Sequence, residues 1–176
     1  MIPSQNVSVA SNAVEGLAER LGGRDPFEVQ EELLPSLRAA TATLDEVALR
    51  TPEGSDKWSI LEAVQHLADA ELAYGFRLRM IVAQETPPLQ AFDQDLWARE
   101  LRYRDKRLDH ALEQLSALRA ANLRTFRSLD ESQLDRVGIH SEVGPISARM
   151  ILYTLAVHDL THRRQIERIK QSIGVR

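Results

Sequence analysis

Apolar residues recur along this chain at helical spacing, and they divide it into four long amphipathic segments. In residues 1–24, Val9, Ala13, Leu17 and Leu21 allow a short helix ended by Gly22-Gly23, which is read as an N-terminal extension. The first long helix follows Asp25-Pro26 and carries Leu33, Leu37, Leu44 and Val47, with Pro35 either kinking it or opening its main part. The turn residues Thr51–Asp56 follow, and then Ser59-Ile-Leu-Glu62 forms a capping box at the start of a second helix reaching about Gln84. Its apolar side takes Ile60, Val64, Leu67, Tyr74, Leu78 and Ile81. The stretch Glu85–Trp97, with its double proline, is too long for a tight hairpin and must cross over part of the fold. A third helix is expected from about Leu96 to Leu129, and Asp130–Gln133 makes a second capping box opening a short helical turn. Residues 137–145 form an irregular or briefly extended approach to the fourth helix, capped by Ser147 and running to Ile173. With no convincing strand alternation, internal repeat or low-complexity tract, the pattern predicts an all-α four-helix bundle over residues 25–176, with the long crossover between the second and third helices.

The fourth helix has two interruptions in its apolar stripe. Ile151, Leu155, Ile166, Ile169 and Ile173 share a side, and His158 and His162 occupy steps of that stripe where aliphatic residues belong. At i,i+4 the two rings lie about 40° apart around the axis and about 6 Å along it, a spacing that suits one metal ion. Core histidines satisfied by ordinary hydrogen bonds would give the same pattern. On the second helix His66 sits on its face beside the small residues Ala63, Ala70 and Ala73, which leave room for a pocket or for a close-packed neighbour. Three neutral imidazoles from two helices can form the protein side of an open metal site. Asp159 lies about 100° around from His158 and should point away from a site shared by the histidines, and the zinc-protease pattern needs Glu in its place. His110, among charged residues, is expected to be exposed, and His140, in a loop, is either solvated or at an entrance.

Composition narrows the chemistry. The 176 residues, 43% hydrophobic and 27% charged, fit one domain, and the absence of cysteine excludes thiolate ligands, disulfides and a cysteine nucleophile. A net charge of -4, spread over mixed-sign faces, gives no basic track for nucleic acid. No apolar run approaches the roughly 18 residues of a membrane span, and the start MIPSQNVSVASNAVEG resembles no leader, so a cytoplasmic location is expected.

Taken in order, Lys57-Trp-Ser-Ile-Leu-Glu-Ala-Val-Gln-His66-Leu-Ala-Asp-Ala-Glu71, Phe92-Asp-Gln-Asp-Leu-Trp-Ala98, His140-Ser-Glu-Val-Gly144 and His158-Asp-Leu-Thr-His162-Arg-Arg-Gln-Ile166 resemble the motifs of the DinB/YfiT-like superfamily, from about Pro35 to Ile169. The resemblance implies a four-helix bundle, a homodimer, and a divalent metal held by His66, His158 and His162. Zn, Ni, Fe or Mn would suit such donors. Some members resemble hydrolases of small molecules; others resemble S-transferases or isomerases that use a low-molecular-weight thiol as cosubstrate. A noncatalytic stress-response or ligand-binding role is the competing class. No side chain in the sequence is a clear general base, which weighs against hydrolysis more than against thiol transfer. Asp69 and Gln165, each three residues beyond a histidine, could orient an imidazole or simply be solvated. Trp58, Trp97 and Tyr153 either wall a pocket or fill the core, and Arg163 and Arg164 either face solvent or bind an anionic cosubstrate.

Overall fold

A computed structural model describes residues 4–175 of the chain. Its helices are α1 (Ser4–Leu21), α2 (Pro26–Thr41), α3 (Glu46–Arg50), α4 (Ile60–Ala83), α5 (Gln94–Glu100), α6 (Leu108–Arg127), α7 (Glu131–Leu134) and α8 (Ala148–Ser172). Three short strands accompany them: β1 (Pro88–Leu89), β2 (Val137–His140) and β3 (Gly144–Ser147). The bundle is formed by α2, α4, α6 and α8, with α4 packed on α6 and α8, and α2 on α8 and α6.

Local chemistry sets most of the helix starts. Asp25 caps α2 by accepting from the Phe27 N–H at 2.7 Å, with Pro26 next. The capping box of α4 is present in both directions: the Ser59 N–H donates to Glu62 at 2.8 Å, and the Glu62 N–H donates to the Ser59 hydroxyl at 3.3 Å. Asp130 and Gln133 form the second box, and Ser147 caps α8. Pro35 lies inside α2 on its exposed side, where the missing N–H faces solvent.

The structure corrects the expected helices in two places. The first long helix ends at Thr41, because Asp45 accepts from the Ala48 N–H at 2.8 Å and starts the separate helix α3, leaving Val47 74% exposed. The continuous third helix is instead α5, a 3-10 turn at Tyr103–Asp105, and α6. The break is set by Arg102, at φ 54 in the left-handed region, and by Tyr103, which is fully buried in the turn. Leu96 and Leu101 are consequently exposed.

The stretch expected to be irregular is a hairpin. Strands β2 and β3 pair antiparallel from Val137↔Ser147 to His140↔Gly144, and β1 of the crossover joins β2 in parallel. Gly138 permits the approach of β1, since a Cβ there would lie 2.8 Å from Leu89. The sheet thus ties the crossover to the segment before α8.

Two apolar clusters fill the bundle. One joins Leu33 and Leu37 of α2, Val64 and Leu67 of α4, Leu112 and Leu115 of α6, and Ile166 and Ile169 of α8. The other joins Leu78 and Ile81, Phe126, Ile151 and Leu155, roofed by Leu89 and Ile146 of the sheet. Asp69 and Glu71 of α4, and Asp159 and His162 of α8, lie along each helix between the parts that enter these clusters, while His66 sits among the α4 residues of the first. The N-terminal segment is an 18-residue helix on the outer side of α8, where Leu17 and Leu21 meet Val29, Tyr153, Ala156, Val157 and Leu160. Val9 falls on that helix, but its side chain lies outside the described residues. No described helix is long and apolar enough to cross a membrane.

Candidate metal centre

His66 comes from the second turn of α4, and His158 and His162 come from the middle of α8, one turn apart. Packing of the two helices brings the rings together, His158 edge-on to His162 and His66 tilted against both. The Nε2 of His158 is 2.9 Å from that of His66 and 3.0 Å from that of His162. Among the described residues, this trio forms the group whose ligand atoms all lie within 4.8 Å of one another. His66 and His162 are buried, and His158 is half-buried.

Trp58, just before the α4 cap, closes one side. Its indole lies 4.7 Å from the His66 ring and is nearly parallel to His162, at 6.3 Å and 11°. Trp58 also lines a cavity of about 610 Å³ bounded by Lys57, Glu62, Asp95, Ala98, Arg99 and the turn at Arg102–Asp105, so it stands between that space and the histidines.

Electrostatics favours neutral rings. Burial, then the charge of neighbouring His162, holds His66 down at about 3. Burial is also the largest cause for His158, reinforced by His162, His66 and Arg119, and it lowers His162 against the opposing effect of its hydrogen bond to Gln165. Neutral imidazole is the form that ligates metals.

The donor set passes a simple fit test. His162 donates its Nδ1 proton to the Gln165 Oε1 at 2.7 Å, which leaves its Nε2 with a lone pair facing His158. His158 Nε2 carries either one proton or one lone pair, so it cannot make a full hydrogen bond to both neighbours, and at least one of these short N···N contacts is repulsive. A cation among the nitrogens would relieve that repulsion. The Nδ1 atoms of His66 and His158 are buried without a protein partner, so Gln165 is the orienting contact seen at the cluster.

The other residues picked out by the sequence are dispersed. Asp69 accepts from the Tyr103 hydroxyl at 2.6 Å and from Gln114 and Gln65 at 2.7 and 3.3 Å, so its hydrogen bonds serve the crossover turn and α6 rather than an imidazole. Asp159 points away from the histidines and pairs with Arg119. His110 is exposed. His140, expected in a loop, is instead the last residue of β2 and buried, its Nδ1 accepting from the Glu142 N–H at 3.3 Å. Trp97 packs on Phe92 at 4.5 Å, and Tyr153 packs in the outer cluster with α1. Arg163 pairs with Glu32, while Arg164 lines a surface cleft against α2.

Sequence reasoning missed a buried ionic network beside the histidines. Arg119 of α6 donates to Asp159 of α8 at 2.6 and 3.0 Å, to Glu71 of α4 at 2.9 Å and to the Gln30 carbonyl of α2 at 2.9 Å, and so joins all four bundle helices. Asn122 adds donations to the Glu71 side chain and carbonyl. The available signal was Glu71, Arg119 and Asp159 standing within otherwise apolar helix faces.

Fold and site together define a four-helix bundle with a buried three-histidine cluster at the contact of two of its helices. The chain belongs to the DinB superfamily, whose family model matches residues 31–166. It is 28% identical over 149 residues to a protein of Geobacillus thermodenitrificans, covering 81% of each chain. It is 33% identical over 137 residues to one of Bacillus licheniformis, covering 76% of this chain and 75% of the other. Both relatives bear the name "putative metal-dependent hydrolase". Among solved structures, YfiT from Bacillus subtilis superposes with a TM-score of 0.80 at 22% identity, over 86% of this chain and 87% of that one, and is described as having an unusual four-helix bundle topology. The four-helix bundle protein TT2238 gives a TM-score of 0.59 at 20% identity, over 81% of this chain and 96% of that one.

Proposed function

We propose that this protein is a metal-dependent hydrolase of a small molecule, with one divalent ion held by His66, His158 and His162. The observation that carries the reading is the convergence of three neutral Nε2 atoms at 2.9 and 3.0 Å, and the names of the relatives support it. Three imidazoles bring no negative charge, so a bound divalent ion would supply strong Lewis acidity and open positions for water and substrate. In this reading Gln165 holds the His162 tautomer, and Trp58 shields the rings from bulk water beside the 610 Å³ cavity.

One observation favours thiol transfer as a second reading. The nearby carboxylates are engaged elsewhere: Glu62 at the α4 cap and with Arg104, Asp69 with Tyr103 and Gln114, and Asp159 with Arg119. None is free to take a proton from water as general base, a role that transfer of an external thiolate does not need.

Metal analysis and native mass spectrometry of untagged protein test the shared part and count the copies in the particle. One equivalent of Zn, Ni, Fe or Mn in the wild type and none in His158→Ala/His162→Ala is expected; equal content in both would overturn the assignment. The metal-loaded protein is then assayed on activated esters and amides, and on electrophiles with and without small thiols. Metal-dependent turnover without thiol supports hydrolysis, turnover only with thiol supports transfer, and neither supports a noncatalytic role.

A further inference from the structure

Beyond the histidine cluster, α4 carries a second buried group with unusual company. Arg77 is 6% exposed, yet its hydrogen-bond partners are neutral: the Gln90 carbonyl at 2.6 Å and the Tyr74 side chain. Its guanidinium carbon lies 5.0 Å from the Tyr74 ring centroid and 5.4 Å from that of Phe92. No carboxylate of the described residues comes within salt-bridge distance of it, and Glu142 acts on it only from farther away. Arg119, at 3% exposure, has two carboxylates. A guanidinium has five N–H donors, and burial without a counter-charge is costly, so Arg77 has both the capacity and the electrostatic need for an anion.

Arg77 borders a groove of about 380 Å³ between α4 and the crossover, whose other walls include Leu72, Phe76, Leu89, Phe92 and Trp97. Leu72 is 49% and Phe76 63% exposed, so two large apolar side chains one turn apart on α4 face outward at this groove. The groove is large enough for a small molecule, and apart from Arg77 its lining carries no charge. Arg77 is eleven residues beyond His66, about 16 Å along the helix, so its charge recognises something other than the ion of the proposed metal centre.

We infer that this groove binds a small apolar monocarboxylate, with the carboxylate on the guanidinium of Arg77 and the hydrocarbon along Leu72, Phe76, Leu89 and Trp97. The match is by charge complementarity: one cation answers one negative charge, and the planar guanidinium fork fits a carboxylate. A dianionic headgroup would leave a surplus charge against apolar walls.

The chain has two tryptophans, so Trp58→Phe leaves Trp97, in the groove, as sole reporter. Removing metal with chelator keeps carboxylates from ligating at the histidines, which separates this test from that of the metal centre. Octanoate, octanol and octylamine are titrated against this protein while Trp97 emission is followed. Saturable octanoate binding at least about tenfold tighter than that of octanol is expected, with no binding of octylamine. Octanol binding as well as octanoate, or no saturable octanoate signal, would overturn the inference. Arg77→Met should weaken octanoate by about tenfold or more, with octanol unchanged. Because Arg77 also holds the crossover through Gln90, Phe76→Glu, at an exposed wall position, gives a second test: it should repel octanoate and admit octylamine, and octanoate affinity unchanged in it would refute the assignment.

Discussion

Replacing Arg119 by methionine removes the charge that faces both Glu71 and Asp159 while keeping much of the aliphatic stem, so the loss measures electrostatics more than packing. Breaking a buried pair by removing one partner typically costs about 3–5 kcal/mol. Part of that is independent of pH: the lost donation to the Gln30 carbonyl contributes about 1 kcal/mol. The remainder depends on whether the carboxylates are ionised. Burial already raises Asp159 to about 7 against the pull of Arg119, so without the arginine its carboxyl must rise further. A folded-state value above the unfolded one means that the native state holds more protons, so this contribution to stability is lost as pH rises. Below pH 7 Asp159 is mostly protonated in both proteins, so the deficit there comes from the lost donation to Gln30 and the lost pair with Glu71. Above pH 7 the variant falls behind by up to about 1.4 kcal/mol per pH unit, towards about 4–5 kcal/mol at pH 9. Urea denaturation followed by circular dichroism at pH 6, 7, 8 and 9 reads this directly, and effects common to both proteins cancel in the difference. A deficit that is constant with pH, or that narrows as pH rises, would refute the reasoning. Replacing Glu71, Arg119 and Asp159 together by Met, Met and Leu should recover most of the loss, since apolar groups of similar volume need no counter-charge.

The histidine cluster gives the opposite slope. Its rings are lowered in the fold, so the unfolded chain binds more protons, and the chelator-treated protein should lose stability as pH falls below about 6.5, by about 2 kcal/mol per imidazole at most between pH 6.5 and 5. Urea midpoints of His66→Gln should fall less steeply over that range, and parallel curves would sink the idea. A methyl group at Gly75 would lie 2.5 Å from the Asn122 Oδ1, and Asn122 is held by Glu71 and Arg79. Gly75→Ala should therefore cost about 2 kcal/mol or more, with a smaller loss in the Asn122→Ala background; a loss within about 0.5 kcal/mol of zero in the native background would contradict it.

Features written in local chemistry were legible in the sequence. Ser59 with Glu62 and Asp130 with Gln133 specify helix starts within four residues, and His158 and His162 stand out because they displace aliphatic residues from a regular stripe. The breaks were hidden for an equally physical reason. Leu101 and Leu108 are seven residues apart, so the helical phase runs through the turn at Tyr103, and Leu44 and Val47 likewise keep phase across the cap at Asp45. Strands of two to four residues alternate too few times to register as a period.

Asp69 and Gln165 show most clearly where inference along the chain stops. Each is three residues past a histidine, so periodicity places both on the imidazole face and cannot rank them. Their fates differ because of what other helices bring. Gln165 meets no stronger donor and accepts from His162, whereas Asp69 is met by the Tyr103 hydroxyl at 2.6 Å and Gln114 at 2.7 Å. A carboxylate already held by two short hydrogen bonds gains little by turning to an imidazole. The same competition explains Asp159. Its angle from His158 showed where it would not point, but its partner, Arg119, lies forty residues away, and its role emerges only when the bundle sets α6 across its interior from α8. In this bundle the helix period determines which face a polar side chain presents, and the donors on the opposing helix determine what it does there.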